Sequence, residues 1–78
     1  MMEKEANLIL DSFSSAMPYL EHPEELKELI QREIKASDSV DKFIDNFEEK
    51  IFAINDATRR TDSNIFLNEL RRAIQAKR

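Results

Sequence analysis

Apolar residues recur at three- and four-residue steps along almost the whole chain, the spacing that marks one face of an α-helix. The first such stripe predicts a helix from about Glu3 to Ala16. Pro18 lacks a backbone N–H and disfavours helical geometry at the residue before it, so this helix should end or kink there. Its stripe consists of Ala6, Ile9, Leu10, Phe13, Ala16 and Met17.

Two further helices are predicted in the middle of the chain. The second begins at Pro23, a favourable first helical residue, and ends near Ala36. The third runs from about Ser39 to Thr58, with Asp38 expected as its N-terminal cap. The apolar stripes are Leu26, Leu29, Ile30 and Ile34 in the second helix, and Val40, Phe43, Ile44, Phe47, Ile51 and Ile54 in the third.

The last helix is predicted from about Asn64 to Ala76, after a turn over residues 61–64. Arg59–Arg60 are expected at the C-terminal end of the third helix, where the helix dipole favours cations, and Lys77–Arg78 at the end of the fourth. The stripe of the fourth helix consists of Phe66, Leu67, Leu70, Ala73 and Ile74.

Glycine is absent from the chain, which argues against the tight hairpin turns of a β-sheet. The sequence therefore predicts an all-α fold, with residues 1–78 forming one domain. Since every connection is short, sequential helices should pack as an antiparallel bundle of three or four short helices. The predicted core is Leu10, Phe13, Leu26, Ile30, Phe43, Phe47, Ile51, Phe66, Leu70 and Ile74.

The size and composition limit what the chain can do. A domain of 78 residues buries only roughly 60% of its unfolded surface, and without cysteine it has no disulfide to reinforce it. We therefore expect self-association into a homo-oligomer. With one histidine, His22, and no glycine, neither a histidine-based metal cage nor a phosphate-binding loop is possible. We expect no catalysis, cofactor, metal or small-molecule substrate.

Hydropathy indicates a protein without a membrane span. The longest aliphatic run, Leu8-Ile9-Leu10, is far shorter than the ~20 apolar residues that a spanning helix needs. The first residues include Glu3 and Glu5, where a signal peptide would have a basic segment followed by an apolar one. We therefore expect a cytoplasmic protein that does not bind membranes.

Charge is divided unevenly along the chain. Residues 1–58 contain fourteen acids and six bases, a net charge of −8, whereas residues 59–78 contain six bases and two acids, a net charge of +4. A basic segment on an acidic body is compatible with an anionic partner, and equally with two helices of one bundle attracting each other.

Phe52 is the side chain least explained by the core pattern. At about 100° per residue, it lies well away from the stripe of the third helix, among carboxylates. One hypothesis is that another helix covers it; the other is that it anchors a protein partner with basic and apolar groups. The predicted protein-binding residues are Phe52, Asp41, Asp45, Glu48 and Asp56. Asp41, Asp45 and Glu48 are better explained as a solvated acidic face than as metal ligands.

The alternative hypothesis is a nucleic-acid-binding regulator. It makes residues 62–72 the second helix of a helix-turn-helix arrangement, with Asn64, Asn68, Arg71 and Arg72 reaching bases or phosphates. Against it, the whole chain has a net charge of −4 and a pI near 5.0, whereas phosphate contacts dominate nucleic-acid affinity. We therefore rank nucleic acid below a protein partner.

Overall fold

The computed structural model describes residues 1–77, and over that range the chain forms four α-helices and no strand. Helix α1 spans Glu3–Ala16, α2 spans Pro23–Ala36, α3 spans Val40–Ala53 and α4 spans Ala57–Lys77. The predicted small all-α bundle is confirmed. Arg78, expected in the last turn of the final helix, lies outside the described residues.

The first two helices have the predicted bounds. After α1 the chain passes into a single 3₁₀ turn at Met17–Tyr19, as expected from Pro18. Pro23 is the first residue of α2, and two glutamates follow it in the first turn. Both α1 and α2 therefore begin and end where proline and the apolar stripe indicate.

The start and the end of α3 both differ from the prediction. Its N-cap is Ser39, not Asp38: the Ser39 hydroxyl accepts a hydrogen bond of 3.2 Å from the backbone N–H of Lys42. The helix ends at Ala53 and does not reach Thr58, because Ile54 adopts an extended conformation with φ −80° and ψ 122°. The apolar spacing continues through Ile54, which made the helix look longer than it is.

Helix α4 starts seven residues earlier than predicted, at Ala57 instead of Asn64. The Asp56 carboxylate accepts hydrogen bonds from the backbone N–H groups of Thr58, at 2.9 Å, and Arg59, at 3.3 Å, which caps the helix. The predicted turn over residues 61–64 is therefore wrong. Arg59–Arg60 lie at the positive end of the α4 dipole and not at the negative end of α3, so that prediction is also wrong.

We expect Asp56→Ala to lower the free energy of unfolding by about 1 kcal/mol, because two N–H groups of the first turn of α4 lose their acceptor. Asp56→Ser should retain most of the stability. Asp38→Ala is the matched control and should change little, since Ser39 caps α3. Urea denaturation followed by circular dichroism measures all three variants. An equal loss in Asp38→Ala and Asp56→Ala would contradict these cap assignments.

The core largely follows the prediction. Leu10 and Ile74 are exceptions, because they are only partly buried and pack against the edge of the core. Three neighbouring stripe residues, Ile9, Ala16 and Leu67, are buried more deeply than these two. The centre is an aromatic cluster in which the ring of Phe47 lies 5.4 Å from the rings of both Phe43 and Phe66. The buried apolar residues are Ile9, Phe13, Ala16, Leu26, Ile30, Phe43, Phe47, Ile51, Phe66, Leu67 and Leu70.

Helix α1 is an integral part of the bundle, since it packs most extensively on α4. Its Glu5 carboxylate accepts a hydrogen bond of 2.8 Å from the backbone N–H of Val40, at the start of α3. The buried Asp62 of α4 accepts from the backbone N–H groups of Glu21, at 3.1 Å, and His22, at 2.8 Å. The first contact joins α1 to α3, and the two hydrogen bonds of Asp62 hold the segment between α1 and α2 against α4.

Candidate protein-binding site

Phe52 is the most exposed large hydrophobic side chain among the described residues, at 89% exposure. It lies in the last turn of α3, on the side away from Phe47 and Ile51. No helix within residues 1–77 covers Phe52, so the hypothesis that another helix buries it is wrong for this part of the chain. Tyr19, at 70% exposure, is a second exposed aromatic residue and lies in the 3₁₀ turn after α1.

A groove of about 350 Å³ lies beside Phe52, between α3 and α4. We call it the Phe52 groove. Ile51 of α3 and Leu67 of α4 are both buried at its base, while Phe52 is the exposed apolar residue of its wall. The full lining is Glu48, Ile51, Phe52, Arg60, Asn64, Leu67 and Arg71.

The charges around this groove are mixed, not acidic as expected. Glu48 forms an ion pair with Arg71 across the groove, so the two helices hold one another there. Arg60 makes no ion pair with any residue in the range 1–77. Asp56, predicted to share the face of Phe52, lies beyond the end of α3 and caps α4 instead.

The other predicted acids lie where the helical spacing puts them. Asp41 and Asp45 are exposed on α3, on the side of the helix that carries Phe52. Glu49, one turn before Phe52, is exposed as well. Within residues 1–77, Asp45 and Glu49 form no ion pair, and no group of three or more acidic or histidine side chains is arranged to hold a metal.

The residues of the nucleic-acid alternative are all exposed on α4, but Arg72 lies apart from the other three. Asn64 and Arg71 line the Phe52 groove, while Arg72 pairs with Glu69 of its own helix at 3.3 Å. Asn68 is exposed one turn beyond Asn64. The expected second helix over residues 62–72 does not exist as a separate element, because these residues are the interior of α4.

A larger cleft, of about 560 Å³, lies between α2 and the ends of α3 and α4 that meet there. Many of the charged side chains that line it already bind other groups of the same chain. Arg59 pairs with Glu25 at 2.9 Å, and Lys50 pairs with the buried carboxylate of Glu33. Asp62 binds two backbone N–H groups. These contacts join the helices, so we regard the cleft as part of the packing of the bundle.

One protein-family model matches residues 4–75, which include all of the Phe52 groove. The chain belongs to the MJ1579 family. Comparison with curated proteins and with solved structures finds no match. Within residues 1–77, no helix of this MJ1579 family member is both long and apolar enough to cross a membrane.

The sequence predicted Phe52 as a site residue but did not predict that Arg60 lies near it. Arg60 was expected at the end of α3, whereas it lies in the first turn of α4 and lines the opposite wall of the groove. The signal that could have found it is Asp56, an N-cap residue type directly before the segment Ala57–Arg60.

Proposed function

We propose that the chain is a non-enzymatic protein-binding module that works in the cytoplasm and binds its partner at the Phe52 groove. The observation that carries the proposal is that Phe52 and Arg60 lie on the same groove. Each residue departs from what the stability of an isolated chain favours, and the two line the same groove. Departures from local rules tend to occur at functional sites.

Phe52 contributes an apolar anchor. A phenylalanine ring that is 89% exposed leaves most of its apolar surface in water, while burial against a partner would remove that surface from water. Binding energy at protein interfaces is concentrated in a few aromatic and arginine side chains near the centre. The Phe52 groove offers Phe52, Arg60 and Arg71 within one surface.

Arg60 contributes a cation in an unfavourable position. It lies in the first turn of α4, where the helix dipole favours anions, and it has no ion-pair partner among residues 1–77. The adjacent Arg59 is compensated by Glu25, at 2.9 Å. Arg60 is therefore available to a partner in a way that Arg59 is not.

We expect Arg60→Gln to leave the stability unchanged or to raise it by about 0.3–1 kcal/mol, because a cation is removed from the positive end of α4. Arg59→Gln is the matched control in the same turn: it removes a cation from the same helix end but also breaks the ion pair with Glu25, so it should be less stable than Arg60→Gln. Urea denaturation at low salt and high dilution, where association adds nothing to the stability, measures both. A clear loss of stability in Arg60→Gln would show that Arg60 has a structural role instead.

Affinity capture from the native cell with three immobilised proteins tests the proposed function. The parent and Tyr19→Ala should retain the same proteins, because Tyr19 lies in the 3₁₀ turn and not in the groove. Phe52→Ala should lose them while keeping the parent's circular dichroism spectrum. Equal retention by Phe52→Ala would overturn the proposed binding surface.

One observation favours nucleic acid as a second candidate. The stripe of α4 formed by Arg60, Asn64, Asn68, Arg71 and Gln75 is exposed and contains no carboxylate. The exposed acids of α3 border it and would repel phosphates, so we rank it second. Affinity for duplex DNA across a salt series, on the parent and on the double variant Arg71→Ala/Arg72→Ala, tests it. Tight, steeply salt-dependent binding lost in the variant would favour nucleic acid over a protein partner.

A further inference from the structure

We infer that the partner at the Phe52 groove is a second copy of this chain, in a two-fold symmetric dimer where α3 of each copy lies over α4 of the other. The inference rests on the proposed function, since it assigns an occupant to the same groove. It follows from which charges the fold leaves unpaired, and from how a two-fold axis would bring them together.

The surface around the groove has an acidic side and a basic side. Among residues 1–77, Asp45 and Glu49 on α3 form no ion pair, and neither does Arg60 on α4. The ion pair that Glu48 and Arg71 form across the groove does not involve any of these three charges. Beside Phe52, the unpaired charge on α3 is therefore anionic and the one on α4 is cationic.

A two-fold axis running along the groove exchanges these two sides. In such a dimer the α3 side of one copy faces the α4 side of the other, and every contact occurs twice. Glu49, one turn before Phe52, then faces Arg60 of the other copy, which lies across the groove from Phe52. A two-fold axis perpendicular to the groove would place acids against acids, so the charges select the first arrangement.

The same two-fold arrangement also buries the ring of Phe52. Phe52 of each copy is brought against the groove of the other, which has Ile51 and Leu67 at its base and Arg60 on its wall. Apolar burial at that base and a cation–π contact with the guanidinium both favour this placement. The dimer thus accounts for the exposed ring and for the unpaired cation at once.

The size and the charge division of the chain agree with a second copy as the partner. With 78 residues and no cysteine, its single core supplies little stability, and association is one of the usual ways in which small domains gain more. A dimer would also use the charge division of the chain, because the acids of α3 and the arginine of α4 come from its two oppositely charged segments.

Sedimentation velocity and light scattering over a hundredfold dilution test the dimer. The parent and Tyr19→Ala should both be dimeric at the upper concentrations and dissociate with the same constant. Phe52→Ala should raise the dissociation constant by about 30-fold or more, because it removes the central aromatic anchor. A parent that is monomeric at every concentration, or a dimer that Phe52→Ala leaves unchanged, would overturn the inference.

A charge exchange tests the orientation of the two copies. Glu49→Arg alone opposes two arginines in each symmetric contact, and Arg60→Glu alone opposes two glutamates, so each variant should be monomeric. Mixed together they should form a heterodimer, since both contacts are then between opposite charges. Failure of the mixture to associate, or dimerisation of either variant alone, would overturn the two-fold arrangement along the groove. Circular dichroism of each variant separates loss of association from loss of folding.

Two further results separate this inference from the proposed function. A monomeric parent that captures a different protein through Phe52 would overturn the dimer and leave the proposed function standing. A monomeric parent that captures nothing, and binds duplex DNA with steep salt dependence lost in Arg60→Glu, would overturn both. A dimer with the expected response to Phe52→Ala and to the charge exchange supports both.

Discussion

Replacing Phe47 with alanine is expected to lower the free energy of unfolding by about 3–5 kcal/mol, which is enough to unfold a domain of this size. Phe47 is fully buried, stacked on Phe43 and packed edge to face against Phe66. Alanine would leave a cavity where three rings meet, and the helices that hold the other two rings could close it only in part. Thermal and urea denaturation measure the loss.

Phe52→Ala is the matched control for this prediction, because it makes the same substitution on the same helix. Phe52 is 89% exposed, so its replacement should change the stability of the isolated chain by less than about 0.5 kcal/mol. Stability is to be compared at concentrations at which the parent is monomeric, since a dimer would add a contribution from association. If Phe47→Ala melts like the parent, the core assignment of α3 is wrong.

Asp62→Ala should be the second large effect, a loss of about 2 kcal/mol. Asp62 is 3% exposed, and its two carboxylate oxygens accept hydrogen bonds from the backbone N–H groups of Glu21 and His22. Alanine removes both acceptors and leaves two donors without a partner in the chain. The segment between α1 and α2 should then loosen, which hydrogen exchange at the amides of Glu21 and His22 measures directly.

Two controls make this prediction specific. Asp62→Asn keeps one acceptor oxygen and replaces the other with a donor, so its stability should lie between those of the parent and Asp62→Ala. Asn64→Ala changes an exposed residue in the same turn of α4 and should lower the stability only slightly. If Asn64→Ala destabilises the chain as much as Asp62→Ala, the loss comes from the helix itself and not from the contact between Asp62 and the segment before α2.

The helical spacing of apolar residues predicted the fold class, the bounds of α1 and α2 and most of the core. Proline supplied the bounds, because Pro18 cannot continue a helix and Pro23 favours the first position of one. The junction between α3 and α4 was not predictable in the same way. Apolar spacing continues through Ile54, and a cap at Asp56 competes with continuation of α3 at a cost too small to read from spacing alone.

The sequence was sufficient to predict Phe52 as part of the candidate site, but not the residues around it. Phe52 could be found because its angular position on α3 depends only on helix geometry, and that geometry is local. Its surroundings could not, because they depend on which face of α4 turns towards α3. The seven-residue error in the start of α4 placed Arg60 on the wrong helix and made residues 61–64 a turn. An acidic site was therefore expected where the structure has a mixed one.

By itself the sequence determined that this chain is helical, which faces of its helices are apolar, and that Phe52 lies off the core. Those properties follow from the period of the helix and from residue type. Only the tertiary structure decided that Arg60 and Leu67 lie across a groove from Phe52, that Asp62 is buried, and which charges are left without a partner. Pairing and burial depend on how the helices approach one another, and that is decided by the packing of the whole core.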